Sequence, residues 1–221
     1  MIDAVVDVSH YQSTIDFATV ASSGILGLIH KATEGLTDVD PLYASRKPLA
    51  LGVGLLWGAY HLGHNEDGTA QANHFLSTVQ PGPTDLLVLD FEDTGAGASM
   101  GLQQAEDFVK QVYQATGRYP GLYATNGYLL QNDAQNSSIL QQCWLWITDW
   151  AAVAEPVHPP QWNTWTLWQH TNGQTGLPPF AVDGIGPCDR DNFNGSADNL
   201  RRLWGAVPAS SEPAPALAVQ G

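Results

Sequence analysis

Apolar residues along the chain gather into short runs that end at polar or charged positions, and stretches with helical spacing separate them. Ala4 to Ser9 is the first run, followed by a helix expected from Ile15 to Ser22 with Ser13 or Thr14 as its cap. Gly27 to Thr33 reads as the second strand, with Glu34-Gly35 turning away from it, and Pro41 to Leu51 as the second helix. Leu55 to His61 is the third strand; a polar loop from His64 to Gly68 leads into a helix from Ala70 to Val79, stopped by Gln80-Pro81-Gly82-Pro83. Leu86 to Glu92 is the fourth strand, Gly95-Ala96-Gly97-Ala98 a flexible loop, and Leu102, Ala105, Phe108, Val109, Val112 and Tyr113 the apolar stripe of a helix ending at Gly117. Gly121 to Thr125, Cys143 to Thr148 and Trp165 to Thr171 follow as strands, and a last pass near Val182 to Phe193 closes the set. A less regular helix is expected from about Gly127, and in the final third the helices shrink to loops rich in Pro, Gly and Asn.

Strand and helix alternate through the first two-thirds, after which strands follow with little helix between them. That order predicts a parallel β/α barrel with a degenerate final third, and a doubly wound open sheet is its competitor. A barrel collects active groups at the C-terminal ends of several strands. Here those ends carry Asp7 and Ser9, Lys31 and Thr33, Tyr60 and His61, Asp90 and Glu92, Thr148 and Asp149, and Gln169 and His170.

The fourth strand is the most informative, because Leu86-Leu87-Val88-Leu89 runs straight into Asp90-Phe91-Glu92-Asp93. Side chains alternate along a strand, so Asp90 and Glu92 share one side, roughly 6–7 Å apart, and Phe91 takes the other. Two acids against an apolar wall have their proton affinities driven apart, which lets one serve as a general acid while its partner stays charged. Capping or turn formation is the structural alternative for such acids, and it falls to Asp93.

Composition narrows the partners. Against 22 Asp+Glu the 221 residues hold 8 Lys+Arg, a net charge of −14, which disfavours nucleic acid and anionic membrane. No stretch approaches the roughly twenty apolar residues of a membrane span, and Met1 to Asp7 begins a strand with no secretion signal. Cys143 and Cys188 are the only cysteines, too few for a disulfide framework or a four-thiolate metal site, though one bridge is open to them. Six of the eight tryptophans lie between Trp144 and Trp168, where flat indoles serve as core or as faces for sugar rings. His61 and His64 lack the neighbours of a metal motif and read as polar loop residues, so neither a metal nor any other cofactor is expected. Residues 1–204 form the expected domain; 205–221, rich in Ala, Pro and Ser, read as a linker or disordered tail.

Six segments in order resemble glycoside hydrolase family 25, the lysozymes that cleave peptidoglycan as N-acetylmuramidases. They are Asp7-Val8-Ser9-His10-Tyr11-Gln12, Lys31-Ala32-Thr33-Glu34-Gly35, Gly58-Ala59-Tyr60-His61, Leu89-Asp90-Phe91-Glu92, Leu167-Trp168-Gln169 and Asp189-Arg190-Asp191-Asn192-Phe193-Asn194-Gly195. The resemblance implies an α/β fold, an irregular TIM-like barrel of five β/α units followed by strands, (β/α)5(β)3. It implies Glu92 as general acid, Asp90 as its partner carboxylate, and Asp7 and Asp189 as further acids of the site. Tyr60 would lie beneath the reacting sugar, with Lys31, Trp150, Trp168 and Gln169 as substrate contacts. Two departures stand out: Trp146-Ile147-Thr148-Asp149-Trp150 replaces the family's usual sequence after the sixth strand, and Asp191 stands where the family usually has Asn.

Bacterial peptidoglycan is then the implied partner, and a wall-binding module beyond the linker the implied companion. A phage endolysin, made in the host cytoplasm and acting at the cell wall, fits this organisation, as does a domain of a secreted bacterial lysozyme. Two other classes are set against this reading. A barrel that only binds glycan would use the same aromatic faces, but here both acids of the pair are present. The haloacid-dehalogenase phosphatase motif D-x-D-x-T is mimicked by Asp90-Phe91-Glu92-Asp93-Thr94, yet that motif needs Asp where Glu92 stands and lies on a first strand.

Overall fold

Aliphatic residues fill β1 (Ile2–Val8), and everything from Ala4 to Val8 is buried, as in a strand covered on both faces. The computed structural model describes residues 1–95 and 97–205. The chain continues through α1 (Phe17–Ser22), β2 (Gly27–Glu34), the short β3 (Asp38–Val39), α2 (Tyr43–Gly52), β4 (Leu56–Leu62), α3 (Gly68–Val79), β5 (Leu86–Asp90), α4 (Leu102–Thr116), β6 (Gly121–Thr125) and α5 (Asn126–Gln131). The last third holds β7 (Trp144–Thr148), β8 (Leu167–Thr171), the hairpin of β9 (Ala181–Val182) and β10 (Gly186–Pro187), then β11 (Asp189–Phe193) and α6 (Ala197–Leu203).

Among the described residues eight strands close a barrel in the order β1, β2, β4, β5, β6, β7, β8, β11 and back to β1. This is the irregular (β/α)5(β)3 barrel, and closure of the circle through β1 excludes the open sheet. One expectation needs correcting: β11 runs antiparallel to both β8 and β1. The connection over 172–188 holds the β9–β10 hairpin and no crossover helix, the element that usually returns a chain to a parallel neighbour.

Alternation along each strand divides the apolar residues into two layers. On β5, Val88 faces into the barrel with Val5, Ile29 and Leu167, whereas Leu87, Leu89 and Phe91 face out against the helices. The strand itself ends at Asp90, two residues earlier than expected, because its neighbour β4 stops at Leu62 opposite Asp90. Phe91 N still donates to Tyr123 O at 2.9 Å, which keeps the chain extended and carries the alternation on to Glu92.

Other boundaries shift for local reasons. The first helix begins at Phe17 because Asp16, not Ser13 or Thr14, caps it, accepting from Ala18 N at 3.1 Å and Thr19 N at 3.2 Å. The final third is not free of helix. Ser196 caps α6, and this helix brings Trp204 beneath the barrel, where its indole donates to Trp57 O at 2.9 Å. A Cβ on Gly27 would stand 3.3 Å from that ring, so the residue that opens β2 is the one that lets the plug seat. Leu200 and Trp204 at helical spacing behind a Ser cap were the signal for it. Cys143 and Cys188 are both free and buried. Beyond Gly205, the linker reading of 205–221 falls outside the described residues.

Candidate active site

The C-terminal ends of the parallel strands and the start of antiparallel β11 surround a cavity of about 220 Å³ lined by Asp7, Tyr60, Asp90, Glu92, Tyr123, Trp146, Trp150, Gln169, Asn172 and Asp189. Seven of the eight barrel strands, or the residues just after them, contribute to it. Gln169 is the hub. Its Oε1 accepts from Tyr123 OH at 3.0 Å, Thr148 Oγ1 at 3.0 Å and Trp150 Nε1 at 3.2 Å, and its Nε2 donates to Asp7 Oδ2 at 2.9 Å. Three donors on one oxygen fix which end of the amide is which, so Asp7 always meets an N–H. The bond to Trp150 Nε1 holds one edge of that indole, and Trp150 is 40% exposed at the rim.

Asp149, the addition to the sequence after the sixth strand, builds the loop that carries this indole. Its carboxylate accepts from Ala151 N at 3.0 Å and Val157 N at 3.2 Å, and its carbonyl accepts from Trp168 Nε1 at 2.8 Å.

The cavity is crowded with acid. Burial is the largest cause of a raised pKa at Asp7, Asp90, Glu92 and Asp189, with neighbouring carboxylates adding to it at Asp7, Asp90 and Glu92. Asp189 is pushed up to about 6. The Tyr60 hydroxyl is raised by burial and then by the charges of Asp7, Asp90, Asp189 and Glu92. Asp90 Oδ1 is buried without a hydrogen-bond partner among the described residues, an acceptor waiting for a donor from outside the chain. Glu92 is half-buried and Asp90 buried, so Glu92 is the outer carboxyl of the pair.

Residues 6–176 match the model of the glycosyl hydrolases family 25. The chain belongs to that family. Lysozyme M1 of Streptomyces globisporus is 32% identical over 212 residues, spanning 90% of this chain and 70% of the relative. An N,O-diacetylmuramidase of Chalaropsis sp is 29% identical over 214 residues, covering 89% and 96%. The crystal structure of a bacterial lysozyme from Streptomyces coelicolor superposes with a TM-score of 0.80 at 29% identity, over 94% of this chain and 100% of the other. The catalytic domain of endolysin ply40 from a Listeria bacteriophage shares the fold, with a TM-score of 0.72 at 21% identity over 92% and 98%. This family 25 hydrolase is therefore an enzyme acting on glycosidic bonds.

Of the site residues expected from sequence, the family 25 barrel brings Asp7, Tyr60, Asp90, Glu92, Trp150, Gln169 and Asp189 to one cavity. Trp168 is not there. The alternation that turns Gln169 inward turns Trp168 outward, into the layer beneath the long loop before β8, where it is 1% exposed and has no face for a sugar. Lys31 lines an adjoining recess with His10, Glu34 and Asp40. Its ammonium is held by Glu34, and its charge opposes the raised pKa of both Asp90 and Glu92.

His61 is no loop residue. It lies within β4, fully buried, bonded to Thr33 Oγ1 at 2.8 Å and Gln71 Oε1 at 3.1 Å and stacked on Phe108, and burial pushes its pKa down to about 4. His64 does lie in the loop, with Nε2 3.0 Å from Glu34 Oε1. Tyr123, Trp146 and Asn172 also line the cavity and had not been singled out for it. For Tyr123 and Trp146 the alternation about buried Leu122 and Leu145 carried the signal; for Asn172 only its place after a strand end did. Asp93 is a turn residue, accepting from Gly95 N at 2.9 Å and Ser99 Oγ at 2.7 Å.

Proposed function

We propose that the cavity hydrolyses the β-1,4 bond between N-acetylmuramic acid and N-acetylglucosamine in bacterial peptidoglycan, with Glu92 as general acid. The observation that carries this reading is the D-x-E pair at the end of β5, half-exposed Glu92 beside buried Asp90, inside a barrel whose relatives include named lysozymes and muramidases. Cleavage must expel an alkoxide while positive charge grows on the sugar. Glu92, its pKa raised, brings the proton to the glycosidic oxygen, and Asp90 faces the growing charge.

Burial raises the pKa of both Asp90 and Glu92, and the charge of Glu92 raises Asp90 further, so the two do not ionise independently. Substrate decides which of the two keeps a proton. The unpartnered Asp90 oxygen accepts the N–H of the acetamido group, which stabilises the carboxylate and leaves the proton on Glu92. The oriented acetamido oxygen then attacks the anomeric carbon, and water completes the reaction with retention. On the competing route Asp90 or Asp7 activates water directly and inverts the centre. NMR of the first-formed product distinguishes them: a β-anomer is expected, and an α-anomer would overturn the acetamido route.

Asp7 and Asp189 line the site as further acids, Tyr60 lies under the reacting sugar, and Trp150 stacks on the glycan. Gln169 orients two of these groups. Gln169→Leu leaves Trp150, Tyr123 and Asp7 without their shared partner, and kcat/KM is expected to fall about tenfold to a hundredfold, measurable on soluble peptidoglycan fragments.

Such an enzyme works at the bacterial wall, reached from the host cytoplasm if it is a phage endolysin and by secretion otherwise. A wall-binding module joined through the Ala/Pro/Ser-rich segment would supply the attachment that this acidic domain cannot draw from an anionic wall. A turbidity assay on purified cell walls tests the reading: the native protein clears them and Glu92→Gln does not. Binding without clearing by the native protein would leave a glycan-binding barrel instead.

A further inference from the structure

One carboxyl beside the cavity has no part in the roles above. Asp191 follows Asp189 by two residues on the inward face of β11 and is fully buried. Its Oδ1 accepts from Trp146 Nε1 at 2.8 Å, while its buried Oδ2 meets no donor among the described residues. In the antiparallel ladder of β1 and β11, Asp191 stands opposite Val5 and Asp189 opposite Asp7, so Asp191 and Asp7 are diagonal neighbours on the inward face, and Asp7 takes the Gln169 amide at 2.9 Å.

Two ionised carboxylates so placed would oppose each other while buried, each with a single side-chain N–H for relief among the described residues. Among the described residues the charges that bear on the pair are acidic. The charged groups around the pair are Asp189 on the same strand, Asp3 on β1 and Asp90 across the cavity. On the outer side Arg190 is bonded to Asp3 at 2.8 Å, and His170 on β8 lies 3.6 Å from the same carboxylate. Trp146 from β7 and Gln169 from β8 bring N–H groups but no charge.

We propose that Asp191 is a positioning residue that holds one proton jointly with Asp7, an O–H of one carboxyl donating to an oxygen of the other. The shared proton satisfies the orphan oxygen of Asp191, limits the pair to one negative charge, and fixes the carboxyl plane of Asp7 against the cavity. Burial acts in the same direction, raising the pKa of both groups. The catalytic part of this inference rests on the muramidase reading; the proton itself does not. An asparagine at 191 would keep the arrangement permanently, its oxygen on Trp146 and its N–H on Asp7.

Carbon-detected NMR of the Asp side-chain carboxyls in the full chain tests for the proton without substrate. At about pH 7, well above the ordinary aspartate value of about 4, the native protein should retain one protonated carboxyl at Asp7/Asp191, and Asp191→Asn should lose it. Both carboxyls ionised at that pH in the native protein would overturn the inference. On peptidoglycan, Asp191→Leu should lower kcat while Asp191→Asn restores most of it. An Asn variant as impaired as the Leu variant would equally overturn it, because a carboxylate charge, not a shared proton, would then be what Asp7 needs. If native protein fails to cleave peptidoglycan while the NMR result holds, the muramidase reading falls and the proton pair stands.

Discussion

Glu92→Gln is expected to reduce kcat on peptidoglycan by about 10²–10⁴-fold, the usual contribution of a positioned general acid, with KM little changed. Glutamine keeps the volume and the outer hydrogen-bonding capacity of the side chain but has no proton to give the leaving oxygen. The same substitution should not weaken the fold. Glu92 has its pKa raised by burial and by Asp189, so its contribution to stability is complete below the unfolded value near 4.5 and is lost as pH rises through the folded one. Above that window the native protein bears the cost of an ionised, half-buried carboxylate and the variant does not. The melting temperature of Glu92→Gln should therefore match the native value near pH 4 and exceed it increasingly toward neutral pH, by about 2–4 °C for each kcal/mol relieved. An inactive variant with a lowered melting temperature at neutral pH would point to a structural role for Glu92.

Asp90→Asn should be almost as damaging, with kcat down about 10²–10³-fold, the scale at which a preorganised electrostatic partner of the transition state acts. The amide still offers an oxygen to the acetamido N–H, so substrate binding should persist and KM move little. What is lost is negative charge opposite the cation that forms as the acetamido oxygen attacks. Asp93→Asn makes the matching control, since Asp93 is exposed and only closes a turn with Gly95 and Ser99. Its activity should stay near native, and an effect comparable to that of Asp90→Asn would mean that the pair has been misassigned. Steady-state kinetics on a soluble muropeptide oligomer resolves both variants.

The contrast among Asp90, Glu92 and Asp93 was legible before any coordinates, because it depends on strand alternation alone. The period of two placed Phe91 among the helices and both acids in the cavity even though hydrogen-bonded strand ends at Asp90. The same rule, applied to Leu167-Trp168-Gln169, would have removed Trp168 from the cleft; resemblance by segment carried it in with its neighbour. Lys31 shows a different limit. Its position along β2 was readable, but the partner three residues on that draws its ammonium into the next recess is a matter of side-chain geometry. Antiparallel closure by β11 was out of reach for the same kind of reason, since a five-residue run such as Asp189-Arg190-Asp191-Asn192-Phe193 carries no sign of its direction. The Gln169 hub needed four strands brought together, β1, β6, β7 and β8, before its four bonds existed.

The most direct test of the account identifies the new chain end. Purified peptidoglycan digested with the native protein, reduced with borodeuteride and analysed by mass spectrometry should yield deuterium-labelled muramitol at the reducing ends, with none formed by Glu92→Gln. Labelled glucosaminitol instead, or fragments released with no new reducing sugar, would contradict it.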